Sequence, residues 1–321
     1  MALSDLAVYS DYAYSAFTET LQQQIDLFNS ATAGCLQLGS AANRGDYTNE
    51  AFFAKVSGGL VRRRNAYGTG NIAEKKLAHA EEVSVKVAAG TPAVRLDPSQ
   101  FKWILQNPEV AGAAMGQQLA VDSLADMVNI ALGAAYVALL QVTAVVHDIT
   151  GETGAAAKMN FSAMNVAQSK FGDRSDRIAC YVMHSKPMHD LYAANLTNTE
   201  RLFTYSNINV IRDPFGKLLV MTDSANLVTS AVYHTLGLVP GAVSVMQNPD
   251  FTANEETSNG EENIKRTYQA EWSYNLSVKG FAWDKANGGK SPSDAAILTS
   301  TNWDKIMTDN KDLAGVVIES D

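Results

Sequence analysis

Residues 107–146, NPEVAGAAMGQQLAVDSLADMVNIALGAAYVALLQVTAVV, constrain this fold more than any other stretch. Asn107 suits an N-cap, and Pro108 suits the first helical position, where its missing N–H costs nothing. Glu109 then places negative charge on the positive end of the helix. Val110, Ala114, Val121, Leu124, Val128, Ala131, Ala135 and Leu139 recur mostly at steps of three and four, which predicts a buried face. Gln118, Asp122, Asp126, Asn129 and Gly133 recur at the same steps on another side. A rise of ~1.5 Å per residue makes one unbroken helix about 50 Å long or more, beyond the size of a small domain. The stretch reads as a spine.

A spine needs a body, and 321 residues at 46% hydrophobic and 18% charged can supply a sizeable core. One compact core stops growing at this length, so two lobes or an elongated body is expected. The net charge of -9 argues against a general nucleic-acid binder. The first basic residue is Arg44, which excludes the charged start of a secretory signal and the arginines of a mitochondrial presequence. Cys35 and Cys180 form no CxxC, so two reduced thiols in a cytosol are expected. Met127 to Val146 is apolar enough to test as a membrane span. Asn129 and Gln141 interrupt it, Asp122 and Asp126 precede it, and no Lys or Arg flanks it, so a buried helix of a soluble protein is expected.

In residues 1–30, Ala13, Phe17, Leu21, Ile25 and Phe28 form a helical stripe that should stop near Ala33-Gly34 and leave an arm needing a surface to pack on. Between residues 50 and 100, FFAKVSGGLVRRRNAYGTGN and VSVKVAAGTPAVRLDPSQF read as two strand-like arms with a turn near Gly68 to Asn71. Val83, Val85 and Val87 alternate with Ser84 and Lys86 as in a half-exposed strand. The segment has few large apolar residues, so it reads as a projecting hairpin, and a projecting hairpin implies a partner. After the spine, Phe161 to Phe171 is helix-like, DRIACYVMHS a buried strand, and KPMHDLYAANL a helix. RLFTYSNINVIRDPFGKLLVMTDS holds two more strand candidates around a Pro-Phe-Gly turn, and AVSVMQN adds another. In RTYQAEWSYNLSVKGFAW, Tyr268, Ala270, Trp272, Tyr274, Leu276 and Val278 alternate with polar residues over ~40 Å, about twice a usual strand, with the polar side expected to stay accessible.

Chemistry-bearing patterns are weak. Gly289-Lys290-Ser291 resembles the end of a phosphate loop, but Asp284 stands where the first glycine is required. Gly68-Thr69-Gly70 lacks the third glycine of a dinucleotide fingerprint and reads as a turn. Cys180, His184 and His189 match no common zinc spacing, and Ser185 lies in no nucleophile elbow. Asp122 and Asp126 share a helix face that reads as solvated or interfacial. The acidic stretch Asn254 to Asn263 reads as a solvated loop. No catalytic residue, cofactor or metal site is expected, and hence no enzyme. Arg62, Arg63 and Arg64 are the sharpest charge feature. With only Tyr67 as a stacking aromatic, salt bridges to a neighbouring acidic chain are favoured over nucleic acid.

The order of parts and the stretches LVRRRNAYG, VSVKVAAGTPAVRLDPSQFKWI, NPEVAGAAMGQQLAVDSLADMVN, DRIACYVMHSKPMHDLYAANL, GKLLVMTDS and AEWSYNLSVKGFAWD resemble the major capsid proteins of short-tailed double-stranded DNA bacteriophages, including that of a Bordetella-infecting phage. The resemblance implies an α+β Hong Kong 97-type fold with residues 1–49 as N-terminal arm, 50–104 as extended loop and 105–155 as spine helix. Residues 156–260 would be mainly the axial domain, and 261–321 the long strand and C-terminal segment of the peripheral domain. It also implies hexamers and pentamers in an icosahedral virion shell made in the bacterial cytoplasm. Expected partners are other copies of the chain, a portal protein, a separate scaffolding protein, a decoration or cement protein and packaged DNA bound without sequence specificity, with no membrane. Arg62, Arg63, Arg64, Tyr67 and Lys86 are the candidate inter-subunit contacts. Some members cross-link a loop lysine to a neighbour's asparagine, but nothing marks Lys55, Lys75, Lys76 or Lys86 as reactive. An encapsulin-like compartment shell is the alternative of the same fold. Gly112, Ala113, Gly116, Ala120 and Ala125 would let the sheet around Tyr268 to Val278 approach the spine closely.

Overall fold

The computed structural model describes residues 2–43, 45–56, 61–77, 79–95, 107–196, 210–212, 216–259 and 265–321. Two long helices run along each other. Helix α1 (Ala2–Ala31) buries Ala13, Phe17, Leu21 and Ile25 of the predicted stripe, leaves Phe28 half-buried and adds Tyr9. Burying each of the large members is worth about 1.5–3 kcal/mol. Beyond the helix, Ala33 and Gly34 take positive φ (52° and 69°), and the Gly34 N–H donates to Asn29 O at 2.9 Å. This returning bond satisfies an end carbonyl and stops the helix where expected.

Helix α2 (Pro108–Leu140) is the spine. Asn107 holds the N-cap position, but its side chain makes no capping hydrogen bond. The helix ends six residues before Val146, where the β-branched Val142, Thr143, Val145 and Val146 favour a 3₁₀ turn and then strand β5 (Val146–Asp148). Its Glu109–Leu140 portion is long and apolar enough to cross a membrane, yet 67% of its most apolar window is buried inside the protein.

The predicted apolar face of α2 holds only in its second half. Ala131, Ala135 and Leu139 are buried, but Val110, Ala114 and Val121 face solvent, with Val110 60% exposed. The buried positions of the first half are Ala111, Gly112, Gly116, Leu119, Ala120 and Ser123. The cause is backbone approach. A Cβ at Gly112 would lie 2.5 Å from Tyr9 O, and one at Gly116 2.3 Å from Ala13 O. These glycines therefore admit α1, and not the sheet as expected.

The first sheet runs β1 (Leu36–Ser40), β11 (Val243–Gln247), β13 (Lys265–Val278), β3 (His79–Gly90) and β2 (Tyr47–Phe53), with β12 (Thr252–Ser258) and β4 (Val94–Arg95) also on β13. Only β1–β11 is parallel within it. The even residues of β13 from Tyr268 to Val278 are buried as predicted. Its other side is only partly open: Gln269 and Glu271 are exposed, but Ser273 and Asn275 are buried. β12 shows that much of the acidic stretch expected as a loop is paired strand, Thr252 facing Glu271 and Asn254 facing Gln269. β3 is a central strand with Val83, Val85 and Val87 buried, so the second arm of the hairpin belongs to the core and does not project.

The second sheet runs β5, β16 (Gly315–Ser320), β10 (Val232–Leu238), β6 (Cys180–Met183), β8 (Leu218–Met221) and β7 (Val210–Arg212), with β9 (Val228–Thr229) on β10. Helices α3 (Phe161–Ser169) and α4 (Ser185–Leu196) fall where predicted, and α5 (Asp294–Ile297) is a single turn. Pro214, Phe215 and the RLFTYSN stretch lie outside the described residues. The sheets cut across the expected segments: β11 and β12 join the first sheet from within 156–260, and β16 joins the second from within 261–321. Val316, Val317 and Ile318 are fully buried on both faces, as a central strand requires, and that draws the C-terminal segment between β5 and β10.

Candidate functional site

Phe53 of β2 faces His79 of β3, so the described residues between them, 54–56 and 61–77, form an excursion from the sheet. Residues 61–77 form no helix or strand and are exposed throughout, with Val61 94% and Tyr67 95% accessible. The turn sits at Asn65, slightly earlier than expected: its Oδ1 accepts from the Tyr67 N–H at 3.0 Å and its O from the Gly68 N–H at 3.2 Å. Arg62, Arg63 and Arg64 stand together beside this turn. Among the described residues no carboxylate pairs with them.

The root of the excursion is clamped. Lys55 Nζ lies 3.4 Å from Asp309 Oδ2 and 3.9 Å from Asp312 Oδ2, and the Thr308 hydroxyl donates to Lys55 O at 3.0 Å. Asp312 also takes Arg174 and, at 3.5 Å, Arg177. Each exposed pair is worth little alone, but three cations sharing two carboxylates make a network.

Lys86 is engaged inside its own chain, unlike the arginines. Its Nζ lies 3.2 Å from Asp250 Oδ2, and Asp250 also accepts from the Ser273 N–H (3.0 Å) and hydroxyl. The network continues from the Asn248 amide to Ser273 Oγ, from the Asn275 amide to Asn248 Oδ1 and from the Asn43 amide to Asn275 Oδ1, each at 2.9 Å. Burial alone would raise the Asp250 carboxyl, but the Ser273 and Lys86 hydrogen bonds outweigh it and hold the pKa below the ordinary value. The alternation of β13 places Ser273 and Asn275 on its polar side. What sequence reasoning missed is that Asn248 and Asp250, from the turn after β11, cover them.

The remaining chemical candidates disperse. His184 faces the Ser185 hydroxyl (3.3 Å) and Asp223 (3.8 Å), His189 packs on Tyr192, and Cys180 is buried in β6. Among the described residues no group of three His, Cys, Asp or Glu side chains is arranged to hold a metal. Lys290 pairs with Asp46 at 3.0 Å. Cys35 and Cys180, far apart in sequence, are buried neighbours with free thiols: Cys35 Sγ donates to Leu238 O at 3.5 Å, and Leu238 pairs with Cys180 across β10–β6. Their mutual hydrogen bond lowers the Cys35 pKa and raises that of Cys180.

A second site has no sequence signal at all. His234 in β10 is 2% exposed and stacks on Tyr136 of α2 with ring centroids 4.0 Å apart. Its Nδ1 lies 3.4 Å from Glu319 Oε1, without the alignment of a hydrogen bond. Burial pulls its pKa down to about 4.

The sequence model of one family, described as major capsid protein 13-like (Gp13-like), matches residues 5–317. Among solved structures, the cyanophage Pam1 capsid asymmetric unit has a TM-score of 0.52 at 14% identity over 89% of this chain and 88% of that one. The capsid of Ralstonia phage GP4 has a TM-score of 0.51 at 9% identity over 91% and 88%. A Microbacterium phage Oxtober96 chain has a TM-score of 0.50 at 14% identity over 91% of each. These likenesses show a shared architecture, the Hong Kong 97-type fold. No curated protein matches the chain.

Proposed function

The chain belongs to the Gp13-like family of major capsid proteins, and from that premise we propose that it builds an icosahedral shell of hexamers and pentamers around double-stranded phage DNA. Family membership favours a phage coat over an encapsulin-like compartment. The observation that carries the assembly reading is the excursion. Residues 61–77 expose Val61, Tyr67, Ile72 and Leu77 together with three arginines, at no benefit to the lone subunit. A segment of this kind is stabilised by a neighbour, and closed symmetry repeats each modest contact many times.

On this reading residues 1–49 are the N-terminal arm laid along the spine, 50–104 the extended loop, and 105–155 the spine helix. The first sheet is the peripheral domain and the second mainly the axial domain. Arg62, Arg63, Arg64 and Tyr67 contact the neighbouring subunit, whereas Lys86 braces β13 from within. The shell is that of a short-tailed phage virion, made in the host cytoplasm and completed by a portal and a separate scaffolding protein. Resemblance of sequence alone supports these last points and the likeness to a Bordetella-infecting phage.

Electron microscopy of the expressed protein tests the proposal. Closed shells, capsomers or tubes are expected, and a stable monomer at high concentration would sink it. Charge reversal at Arg62, Arg63 and Arg64 should impair assembly while leaving the melting of the subunit unchanged. Normal shells from that variant would remove the neighbour-contact role.

A further inference from the structure

The outward side of α2 borders a cleft that the described residues leave open. The cleft holds about 450 Å³ between the helix and the first sheet. Asp122, Ser123 and Asp126 line it from α2, Trp272 and Tyr274 from β13, and Asp294 from the start of α5. Among the described residues no Lys or Arg lines it, and none of its three carboxylates pairs with a cation. The Tyr274 hydroxyl donates to Asp126 Oδ2 at 3.2 Å.

Two further groups point to a missing occupant. Ser123 is 2% exposed and its Oγ has no hydrogen-bond partner. Trp272 is 8% exposed, and its Nε1 likewise has none. Both atoms are closed to solvent in the lone subunit although their residues border the cleft. Buried polar groups are ordinarily satisfied, so a small side-chain shift would let an external donor reach Ser123 and an external acceptor reach Trp272. Loss of hydration raises the Asp126 carboxyl, the Tyr274 hydroxyl lowers it and Asp294 raises it again, a conflict that an incoming cation relieves.

The same chain carries the complement. Arg62, Arg63 and Arg64 lack carboxylate partners among the described residues and are flanked by exposed Val61 and Tyr67. Immediately before Asp122, α2 exposes Val121. Cations beside apolar side chains thus meet carboxylates beside one. A guanidinium offers five donors in a planar fork, enough for two carboxylates and a hydroxyl at once.

We propose that this cleft receives the Arg62–Arg64 segment of a second copy of the chain. One guanidinium enters between Asp122, Asp126 and Asp294 and donates to the Ser123 hydroxyl, while a backbone carbonyl of the same segment accepts from the Trp272 indole. This rests on the excursion crossing to a neighbour and specifies where it lands.

The test uses full-length protein with a photo-reactive benzoylphenylalanine replacing Arg63, irradiated after assembly. A covalent dimer on a denaturing gel is expected, with its cross-linked peptide from the α2 or β13 residues that line the cleft. A dimer linked anywhere else overturns the cleft and leaves the crossing intact; the absence of any dimer overturns both. In a second arm, Asp122→Lys with Asp126→Lys should lower assembly yield about tenfold or more. Adding Arg62→Glu, Arg63→Glu and Arg64→Glu should restore most of it. Failure to restore, with the melting of the subunit unchanged in both variants, overturns the pairing.

Discussion

Replacing Gly116 by Ala tests the contact on which the two long helices depend. In an isolated helix the change is favourable, because Ala exceeds Gly by about 1 kcal/mol in helix propensity. Here the new Cβ would stand 2.3 Å from Ala13 O and 3.0 Å from Phe17 N. An unstrained carbon–oxygen approach is about 3.3 Å, so α1 must withdraw by roughly 1 Å. Neither obstructing atom belongs to a side chain that could rotate away. Overpacking ordinarily costs ~1–3 kcal/mol, and a backbone-on-backbone clash belongs at the upper end. Set against the propensity gain, the net loss is about 2 kcal/mol. Ala114→Gly, on the exposed side of the same helix, should lose about 1 kcal/mol from propensity alone. Urea unfolding of the unassembled subunit measures both, and limited proteolysis reports whether α1 comes loose. A Gly116→Ala subunit as stable as the parent would refute the close approach of α1 to α2.

His234 is held neutral in the folded state, with a pKa of about 4 against an ordinary 6.5, whereas the unfolded chain protonates it normally. Its contribution is therefore full above pH ~6.5 and lost as pH falls towards ~4, a difference of about 3 kcal/mol. Glu319, raised by burial and then by Asp148, works in the opposite direction and offsets part of this. His234→Phe should flatten the decline in stability between pH 6.5 and 4, measured by denaturant midpoints, and an unchanged slope would contradict the assignment. Asp250→Asn should cost about 1–3 kcal/mol at pH 7, because it takes the charge from the hydrogen bonds of Lys86 and Ser273. The depressed Asp250 pKa means that this stabilisation is present above the ordinary carboxylate pKa and is lost as pH falls through the lowered one, so parent and variant should converge only below the ordinary carboxylate range in thermal melts. Both cysteines should resist a thiol reagent in the native subunit and react only in denaturant, and rapid native labelling at either would show that the contact between them opens.

The parts of this fold legible in the sequence are those whose pattern is local. Phe17, Leu21 and Ile25 mark the buried stripe of α1, Gly34 marks its end, and alternation marks β3 and β13. The first half of α2 misled because periodicity separates two faces without saying which one meets a neighbour. Val110 and Val121 are apolar but exposed, because Gly112 and Gly116 let a helix backbone in on the other side. Ser273 and Asn275 looked solvated because the residues covering them, Asn248 and Asp250, arrive from a turn across the sheet. The Cys35–Cys180 contact and the His234–Tyr136 stack are likewise long-range juxtapositions with no local signal. The arginine triplet was legible as unpaired charge, but the receptor proposed for it is assembled from α2, β13 and α5 and could not be read from any one of them.

The clamp at the root of the excursion has a mechanical consequence. The excursion is joined covalently to the first sheet through β2 and β3. Through Lys55 they also bear on Asp309 and Asp312, just ahead of β16 in the second sheet. A pull on the excursion therefore loads both sheets at once, along one covalent path and one ionic path. Salt weakens only the ionic path. High ionic strength should thus make the loop a softer spring while leaving its anchorage intact, and the subunit would yield at Lys55 before any strand parts.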